Sequence, residues 1–426
     1  MSSPTATQAP DPAETVERWS VHGQMTAVDQ MHPAFHAAYA GVNSLSSAHS
    51  ERETVDVTAF MGARLWTGAE LYVNPEIDQG FGLSNTVGVA GFPNGEAYKV
   101  GRADPYLRWN RAFLRQVFAL GAATRSIEPD ANQLGGVDPV DNVTLTVGKF
   151  SVVDIFDVNS YAHDPRRDFL NWSVIDAGAF DYAADAWGYS EGVAVEVSRG
   201  QLTARAGVFA LSDVPNSQKL DSAFHEYALI AEAERREDLG GHPGKLKLLA
   251  FVNRGRMGDY DTAVADAAAG VAPSTAAVRH FASRGGVSFN AEQEVLSDVG
   301  AFLRASANDG SKEAYEFSEI NRSVSGGLSL KGEAWHRHDD EVGVAAAVNA
   351  LSAPARRYFA AGGVGIIIGD GALTHYGTEQ ILEAYYAAHV ATQVTLSADF
   401  QKIANPAYNR DRGPVSVFAV RLHVEL

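Results

Sequence analysis

The chain has 426 residues, of which 46% are hydrophobic and 20% charged, and it contains no cysteine. This composition excludes a disordered chain, a disulfide framework and a thiolate metal site. The formal net charge of −18 argues against a nucleic-acid partner, because no basic stripe is present to contact phosphates.

The N-terminal stretch, MSSPTATQAPDPAET, is polar and rich in proline. We expect residues 1–17 to be a flexible N-terminal segment, followed by one folded domain over residues 18–426. The start lacks the basic and then apolar pattern of a secretory signal, so we interpret the sequence as a mature form. No run of about 18 apolar residues follows, which predicts no transmembrane helix.

From residue 18 onward, apolar residues alternate with polar ones in repeated short segments. In QLTARAGVFA, for example, Leu202, Ala204, Ala206 and Val208 share one face and Arg205 lies on the other. Alternation of this kind is typical of β-strands with one apolar face. We count about sixteen such segments: 18–29, 53–66, 69–76, 106–118, 141–150, 188–198, 201–211, 225–236, 244–254, 285–295, 298–307, 322–332, 341–351, 380–390, 393–403 and 415–426. The segment 106–118 fits less well than most, because its charges fall on both faces.

The connections between these segments alternate between tight and long. Tight joins lie at 67–68, 199–200, 296–297 and 391–392, and long polar or glycine-rich stretches cover 31–52, 77–105, 151–187, 255–284 and 352–379. Short turns at one end and long loops at the other are typical of an outer-membrane barrel. The stretch 119–140 is the exception, since it is a long connection on the side of the short turns.

The sequence therefore predicts an all-β fold, a transmembrane antiparallel β-barrel of about sixteen strands with short periplasmic turns and long extracellular loops. Only a closed barrel pairs every backbone group of a membrane-spanning strand, and a barrel this wide encloses water. The alternative is a soluble β-sandwich or propeller, in which the same alternation covers a core. A propeller is the weaker alternative, because no repeat of blade length is present.

The C-terminal segment, GPVSVFAVRLHVEL, is apolar at alternate positions up to the last residue. A final strand of this kind resembles the signal that directs assembly of barrels in the bacterial outer membrane, which is the location we predict. The usual terminal residue of that signal is Phe, and Leu426 departs from it.

Four stretches carry a family resemblance: WSVHGQMTAVDQ (19–30), LWTGAELYVNPEIDQGFGLSNTVGVAGFPNGEAYK (65–99), VGKFSVVDIFDVNSYAHDPRRDFLNWSVIDAGAFDYAADAWGY (147–189) and YNRDRGPVSV (408–417). In this order they resemble the OprB family of carbohydrate-selective porins. The resemblance implies a sixteen-stranded barrel with a water-filled pore, inward-folded extracellular loops that narrow it, and passive diffusion of sugars and other small polar solutes.

The loops 151–187 and 77–105 are the candidates for inward loops. The first is unusually long for a compact protein and rich in aromatic residues, which argues against disorder. Sugar hydroxyls need side-chain donors and acceptors, and pyranose faces slide on aromatic surfaces, while each contact must stay weak enough for release. The candidate residues are Asp154, Asp157, Asn159, Asp164, Arg166, Arg167, Trp172 and Asp181 in the first loop, and Asn94 and Glu96 in the second. A purely structural role, with aromatics packed as a small core and carboxylates paired to Arg166 and Arg167, remains open for each.

Three wall residues complete the set of candidates. Alternation assigns Arg64, Glu70 and Arg205 to the lumen, because a charge facing lipid costs about 2–4 kcal/mol at the midplane. Arg64 and Glu70 flank the tight turn at 67–68, which places them toward the periplasmic end.

Signals for an enzyme are weak in this chain. Acidic pairs such as Asp154 and Asp157 fit a glycosidase only if they meet in space, and the HRHDD motif at 336–340 suits a solvated turn better than a metal site. We therefore expect no enzymatic activity, no catalytic residue, no cofactor and no metal. The alternative class is a soluble β-rich carbohydrate-active enzyme or carbohydrate-binding module.

The expected partners are small-molecule sugars and outer-membrane lipid, with a homotrimer as the assembly by analogy with such porins. A further alternative keeps the barrel but changes the cargo. If much of the acidic excess lines the pore, it favours cations over anionic solutes.

Overall fold

The computed structural model describes residues 16–97, 99–317 and 319–426. Most of the predicted N-terminal segment 1–17 lies outside these residues. Within the described ranges, no helix is both long and apolar enough to cross a membrane.

The described residues form one closed antiparallel barrel of sixteen strands, which confirms the predicted fold class. Each of the sixteen alternating segments coincides with one barrel strand. The barrel strands are β1 Trp19–His32, β2 Ser50–Trp66, β3 Ala69–Gly80, β4 Arg102–Ala119, β7 Asn142–Phe150, β8 Ser190–Arg199, β9 Leu202–Ala210, β10 Tyr227–Asp238, β11 Pro243–Met257, β12 His280–Leu296, β13 Val299–Asn308, β14 Arg322–Gly332, β15 Arg337–Ala350, β16 Glu379–Ala391, β17 Val394–Ala404 and β18 Val415–Glu425.

The first and last strands close the barrel. Strand β1 pairs with β2 along its whole length and with β18 from Gln24 opposite Glu425 to Met31 opposite Phe418. The backbone of Gly23 exchanges two hydrogen bonds with Leu426, at 2.9 and 2.8 Å. The C-terminal residue therefore belongs to the wall, and the sixteen described barrel strands leave no unpaired edge for lipid to contact.

The outer face carries an apolar band. Large side chains such as Leu248, Val287, Val324, Val390 and Val420 are more than half exposed, and each alternates with a lumen-facing neighbour. In the segment QLTARAGVFA, Leu202 points outward while Thr203 and Phe209 are buried inside. This pattern matches a barrel whose outside meets hydrocarbon, rather than a soluble protein that covers its apolar faces with a second layer.

The two ends of the barrel differ in their connections, as the spacing predicted. The turn end carries short joins such as that between β8 and β9, and the loop end carries the long connections. Several loops are shorter than the spacing indicated, because strands run past the apolar band. Strand β12 begins at His280 rather than at 285, and β4 begins at Arg102 rather than at 106.

The long connection on the turn end has its own structure. Between β4 and β7, strands β5 Thr124–Ile127 and β6 Gly136–Pro139 pair as a separate two-stranded sheet. We call residues 120–141 the turn-end hairpin.

Three helices lie in the loops of the described chain: α1 Trp172–Ile175, α2 Tyr260–Asp266 and α3 Ala353–Ala360. Asp259 and Ser352 cap the N-termini of α2 and α3 by accepting backbone N–H bonds. The two helices pack through Tyr260 and Tyr358, whose ring centroids lie 4.9 Å apart.

Candidate functional site

The loop between β7 and β8, residues 151–189, folds into the barrel and binds the wall that runs from β10 to β18. The backbone N–H of Asp157 donates to Glu232 on β10 at 2.8 Å, and its carboxylate lies 3.2 Å from Arg304 on β13. The Asn159 amide donates to Asn290 on β12 at 2.8 Å. These contacts are fully buried, so they fix the position of the loop rather than contact solvent.

The same wall holds the middle of the loop. Arg421 on β18 donates to the backbone carbonyls of Pro165 and Asp168, at 2.6 and 2.7 Å. Glu383 on β16 accepts from the backbone N–H of Asn171 at 3.2 Å. The charged residues Arg304, Glu383 and Arg421 of these strands therefore anchor the loop.

Aromatic side chains of the loop form its packing core. Phe169 meets Tyr385 edge-on with centroids 4.9 Å apart, and Trp172 stacks on Phe92 of the loop 81–101 at 4.9 Å. Phe180 contacts Phe251 of the wall at 5.1 Å. The loop thus fills the lumen beside β10 to β18 and leaves the opposite side open.

The open side is a cavity of about 570 Å³ against β4, β7 and β8. Its wall presents Arg111, Arg115, Thr146 and Glu196. The facing surfaces come from loop 151–189, from loop 81–101 and from the turn-end hairpin, and they include Glu96, Lys99, Asn132, Gln133, Asp154, Asp164, Arg166, Trp172, Asp176 and Tyr189. Both charge signs and several aromatic rings therefore surround one continuous space.

Strand β4 carries three arginines that form a column on the lumen side. Arg111 makes a two-pronged ion pair with Asp154, at 2.6 and 2.7 Å, and lies 5.0 Å from the ring centroid of Tyr189. Arg108 lies over the ring of Trp187 at 3.2 Å and pairs with Asp185 at 3.1 Å.

The third arginine of the column lies nearest the turn end. Arg115 bridges Glu70 and Asp138, each at 3.0 Å. Fixed guanidinium groups of this kind present planar sets of N–H donors along the cavity.

A β-bulge brings this column onto one face. Asn74 of β3 pairs with Arg111, whereas Pro75 pairs with Trp109, so Asn110 is the extra residue. Arg108 and Arg111 are three positions apart and would point to opposite faces of a regular strand. The bulge turns both into the lumen.

Arg166 joins the inward loop to the wall next to the column. Its guanidinium lies 3.0 Å from Asp56 on β2, 3.0 Å from Glu76 on β3 and 3.2 Å from Glu96 in the loop 81–101. One arginine therefore ties both inward loops to β2 and β3 at the edge of the cavity.

Asp176 is a buried acid in the lining. Desolvation, followed by the charge of Asp157, raises the pKa of Asp176 to about 8. Its Oδ1 lies 3.8 Å from Nδ1 of His163, whose own pKa burial lowers. Asp176 and His163 therefore present neutral groups to this corner of the cavity near neutral pH.

The predicted site residues divide between cavity and scaffold. Glu96, Asp154, Asp164, Arg166 and Trp172 line the cavity. The other predicted residues lie outside the cavity lining and make contacts that hold the wall or the loops. They are Arg64, Glu70, Asn94, Asp157, Asn159, Arg167, Asp181 and Arg205.

Three of these residues illustrate such contacts, because each forms an ion pair with a residue of the barrel wall. Arg64 pairs with Glu70 at 3.0 Å near the turn end, as their positions beside the turn indicated. Arg205 is held by Glu196, Glu232 and Glu234 at 2.7 to 2.9 Å. Asp181 pairs with the fully buried Arg284 of β12.

The sequence interpretation missed the arginine column. Its signal is present in PYLRWNRAFLRQ, where arginines recur every three or four residues. A regular strand cannot place all three on one face, so the alternation test counted the segment as a poor strand. It also missed Tyr189, which lies just beyond the predicted end of the loop.

No cluster of His, Asp and Glu within the described ranges is arranged to hold a metal ion. The acidic pairs considered for catalysis are each engaged elsewhere. Asp154 binds Arg111, while Asp157 binds Arg304 in the packed part of the loop.

Comparisons with known proteins cover nearly the whole barrel. The family model described as carbohydrate-selective porin, OprB family, matches residues 43–426. A high-pH structure of Pseudomonas putida OprB superposes with a TM-score of 0.72 at 16% identity, covering 96% of this chain and 94% of that one. The low-pH structure of the same protein gives 0.52 at 12% identity, covering 96% and 93%.

The outer-membrane channel DcaP of Acinetobacter baumannii gives a TM-score of 0.51 at 10% identity, covering 96% of this chain and 97% of that one. At these identities the structures support the fold alone. A search of curated proteins found no significant match.

Proposed function

This chain belongs to the OprB family of carbohydrate-selective porins, and from that premise we propose that its sugars pass through the cavity beside β4. Family and fold together make it a sugar channel of the bacterial outer membrane. The finer proposal concerns which side of the lumen conducts and which residues contact the solute.

The single observation that carries this proposal is that Arg111 and Arg115 of β4 line the same cavity as acidic residues of the inward loops. Arg111 and Arg115 supply N–H donors, and Asp154, Asp164 and Glu96 supply acceptors around the same space. A neutral solute with many hydroxyl groups uses donors and acceptors together, whereas an ion of either sign is attracted by one set and repelled by the other.

Aromatic rings complete the path. Tyr189 and Trp172 line the cavity beside these charges. Both residues are only 6% exposed, so they offer a pyranose a small apolar contact, which is weak enough to allow release.

We assign the constriction to the two inward loops, 77–105 and 151–187. In support, Arg166 ties both loops to Asp56 and Glu76 of the wall, which keeps the narrowing rigid. The candidate residues in the cavity lining would contact solute, while those in the packed part of the loop would hold it in place.

We also propose that the channel acts without chemistry and assembles as a homotrimer. The absence of chemistry is supported by the pairing of Asp154 and Asp157 with separate arginines, which leaves neither as a free acid or nucleophile. Prolonged incubation with an oligosaccharide should give no shorter products. Light scattering in detergent should give a mass three times that of the chain.

A swelling assay tests the central proposal. Liposomes containing the purified barrel should swell faster in xylose than in glutamine, a neutral solute of similar size. Equal rates would remove the preference for carbohydrate. Absence of swelling with either solute would contradict an open path altogether.

A further inference from the structure

The turn-end hairpin is folded into the barrel mouth. Its tip is a tight turn in which the backbones of Asp130 and Gln133 exchange two hydrogen bonds, both of 3.0 Å. Asn132 takes a positive φ of 55°, a conformation that Asn tolerates better than most residues. The tip therefore has one defined shape.

Specific contacts hold the tip inside the lumen. Leu134 is only 2% exposed, and its backbone N–H donates to the Tyr72 hydroxyl on β3 at 3.1 Å. Asp138, in the second strand of the hairpin, pairs with Arg115 on β4 at 3.0 Å. An apolar anchor and an ion pair thus fix the hairpin to the wall.

The tip reaches well into the barrel. The Oδ1 atom of Asn132 accepts a 2.8 Å hydrogen bond from Asn74, which is the sixth of the 12 residues of β3. Ala131, Asn132 and Gln133 line the same cavity as Arg111 and Arg115. The two-residue turn between β8 and β9, by contrast, is exposed at both Gly200 and Gln201.

The polar atoms of the tip suit a solute with hydroxyl groups. Asn132 uses its oxygen toward Asn74, and Gln133 uses its amide nitrogen toward the Glu128 carbonyl. Among the described residues, this leaves the Asn132 amide nitrogen as a donor and the Gln133 side-chain oxygen as an acceptor.

We propose that the turn-end hairpin forms a second, exit-side sugar subsite, with Asn132 and Gln133 as its specificity-determining residues. This inference rests on the proposed sugar path and extends it toward the periplasm. A sugar that leaves the arginine column would exchange guanidinium contacts for the two carboxamides, and the hairpin would narrow the exit.

Two variants test the subsite on the purified full-length barrel. In Asn132→Ala with Gln133→Ala, block of single-channel current by xylose should weaken about 25-fold, because two hydrogen bonds are lost and each is worth a factor of about five. In Leu134→Asp the tip should leave the mouth, which raises the ion conductance and reduces, without abolishing, the difference between xylose and glutamine. Val137→Asp is the matched control, because Val137 lies on the same hairpin with its side chain 44% exposed.

The outcomes separate this inference from the function on which it rests. If the unmodified barrel does not distinguish xylose from glutamine, the sugar path itself is wrong. If it does, and the double variant keeps full block by xylose, the exit subsite alone is overturned. Should Leu134→Asp fail to assemble, judged by its heat-modifiable gel band, the double variant decides alone.

Discussion

The two halves of the lumen use the same pair of groups, arginine and carboxylate, in different settings. Beside β10 to β18, Arg304 and Asp157 are each 1% exposed at the side chain. Beside β4, the side chains of Arg111 and Asp154 are 13% and 29% exposed. Pairs that are sealed from water fix the loop, whereas pairs that meet the cavity remain accessible to solute.

Burial explains the difference in role. A buried pair that loses one partner leaves an uncompensated charge, so it tolerates no exchange of partners. A pair that borders the cavity costs less to break than a sealed pair, and its N–H and oxygen groups exchange more readily with hydroxyls. The comparison teaches that position in the lumen, and not residue type, separates anchor from path.

The largest effect should come from breaking an anchor. Arg304→Ala leaves Asp157 buried and unpaired, which should cost about 3–5 kcal/mol. The inward loop should then detach, so that single-channel conductance rises and the temperature of the heat-modifiable gel transition falls. Arg357→Ala is the control, because the side chains of Arg357 and its partner Asp261 are 54% and 52% exposed. Equal behaviour of the two variants would show that the buried pairs are not anchors.

A smaller effect should come from removing both charges of the Arg111–Asp154 pair, which borders the cavity. Replacing Arg111 with Gln and Asp154 with Asn together removes both charges without leaving either alone. We expect sugar block to weaken about five-fold for one lost hydrogen bond, with the gel transition nearly unchanged. A fall in barrel stability with unaltered sugar block would place this pair among the anchors instead.

The smallest effect concerns pH. Since the folded pKa of Asp176 is about 8 and its ordinary value is 3.8, this carboxyl stays protonated in the barrel near neutral pH. It should ionise as the pH rises through 8, which adds a negative charge to the cavity and shifts the reversal potential toward cation selectivity. The shift should vanish in Asp176→Asn; its persistence there would assign the titration to another group.

The same raised pKa has a consequence for stability. A carboxyl that is protonated in the folded state and ionised in the unfolded state stabilises the fold at low pH. That contribution is complete below about pH 4 and is lost as the pH rises toward 8. Asp176→Asn should therefore flatten this part of the dependence of the gel transition on pH.

Alternation, together with the sequence of short and long connections, predicted the barrel because every membrane-crossing strand obeys the same constraint. Leu202 must face hydrocarbon and Arg205 must not, whatever the neighbouring strands contain, since a charge in lipid is costly. The same local rule located all sixteen strands, and the lengths of the connections distinguished the two ends of the barrel. It also placed Arg64 and Glu70 near the turn end, where they pair.

The position of the path through the lumen depends on contacts between residues far apart in the sequence, which alternation along a single strand does not describe. The partners Asp157 and Arg304 are far apart in the sequence, and they pair because the inward loop crosses the lumen to reach β13. Arg108 and Arg111 share a face only because Asn110 forms a bulge against Pro75 of another strand. The sequence alone determined which side of the wall meets lipid; only the tertiary structure decided which side of the lumen is open, because long-range pairing positions the loop.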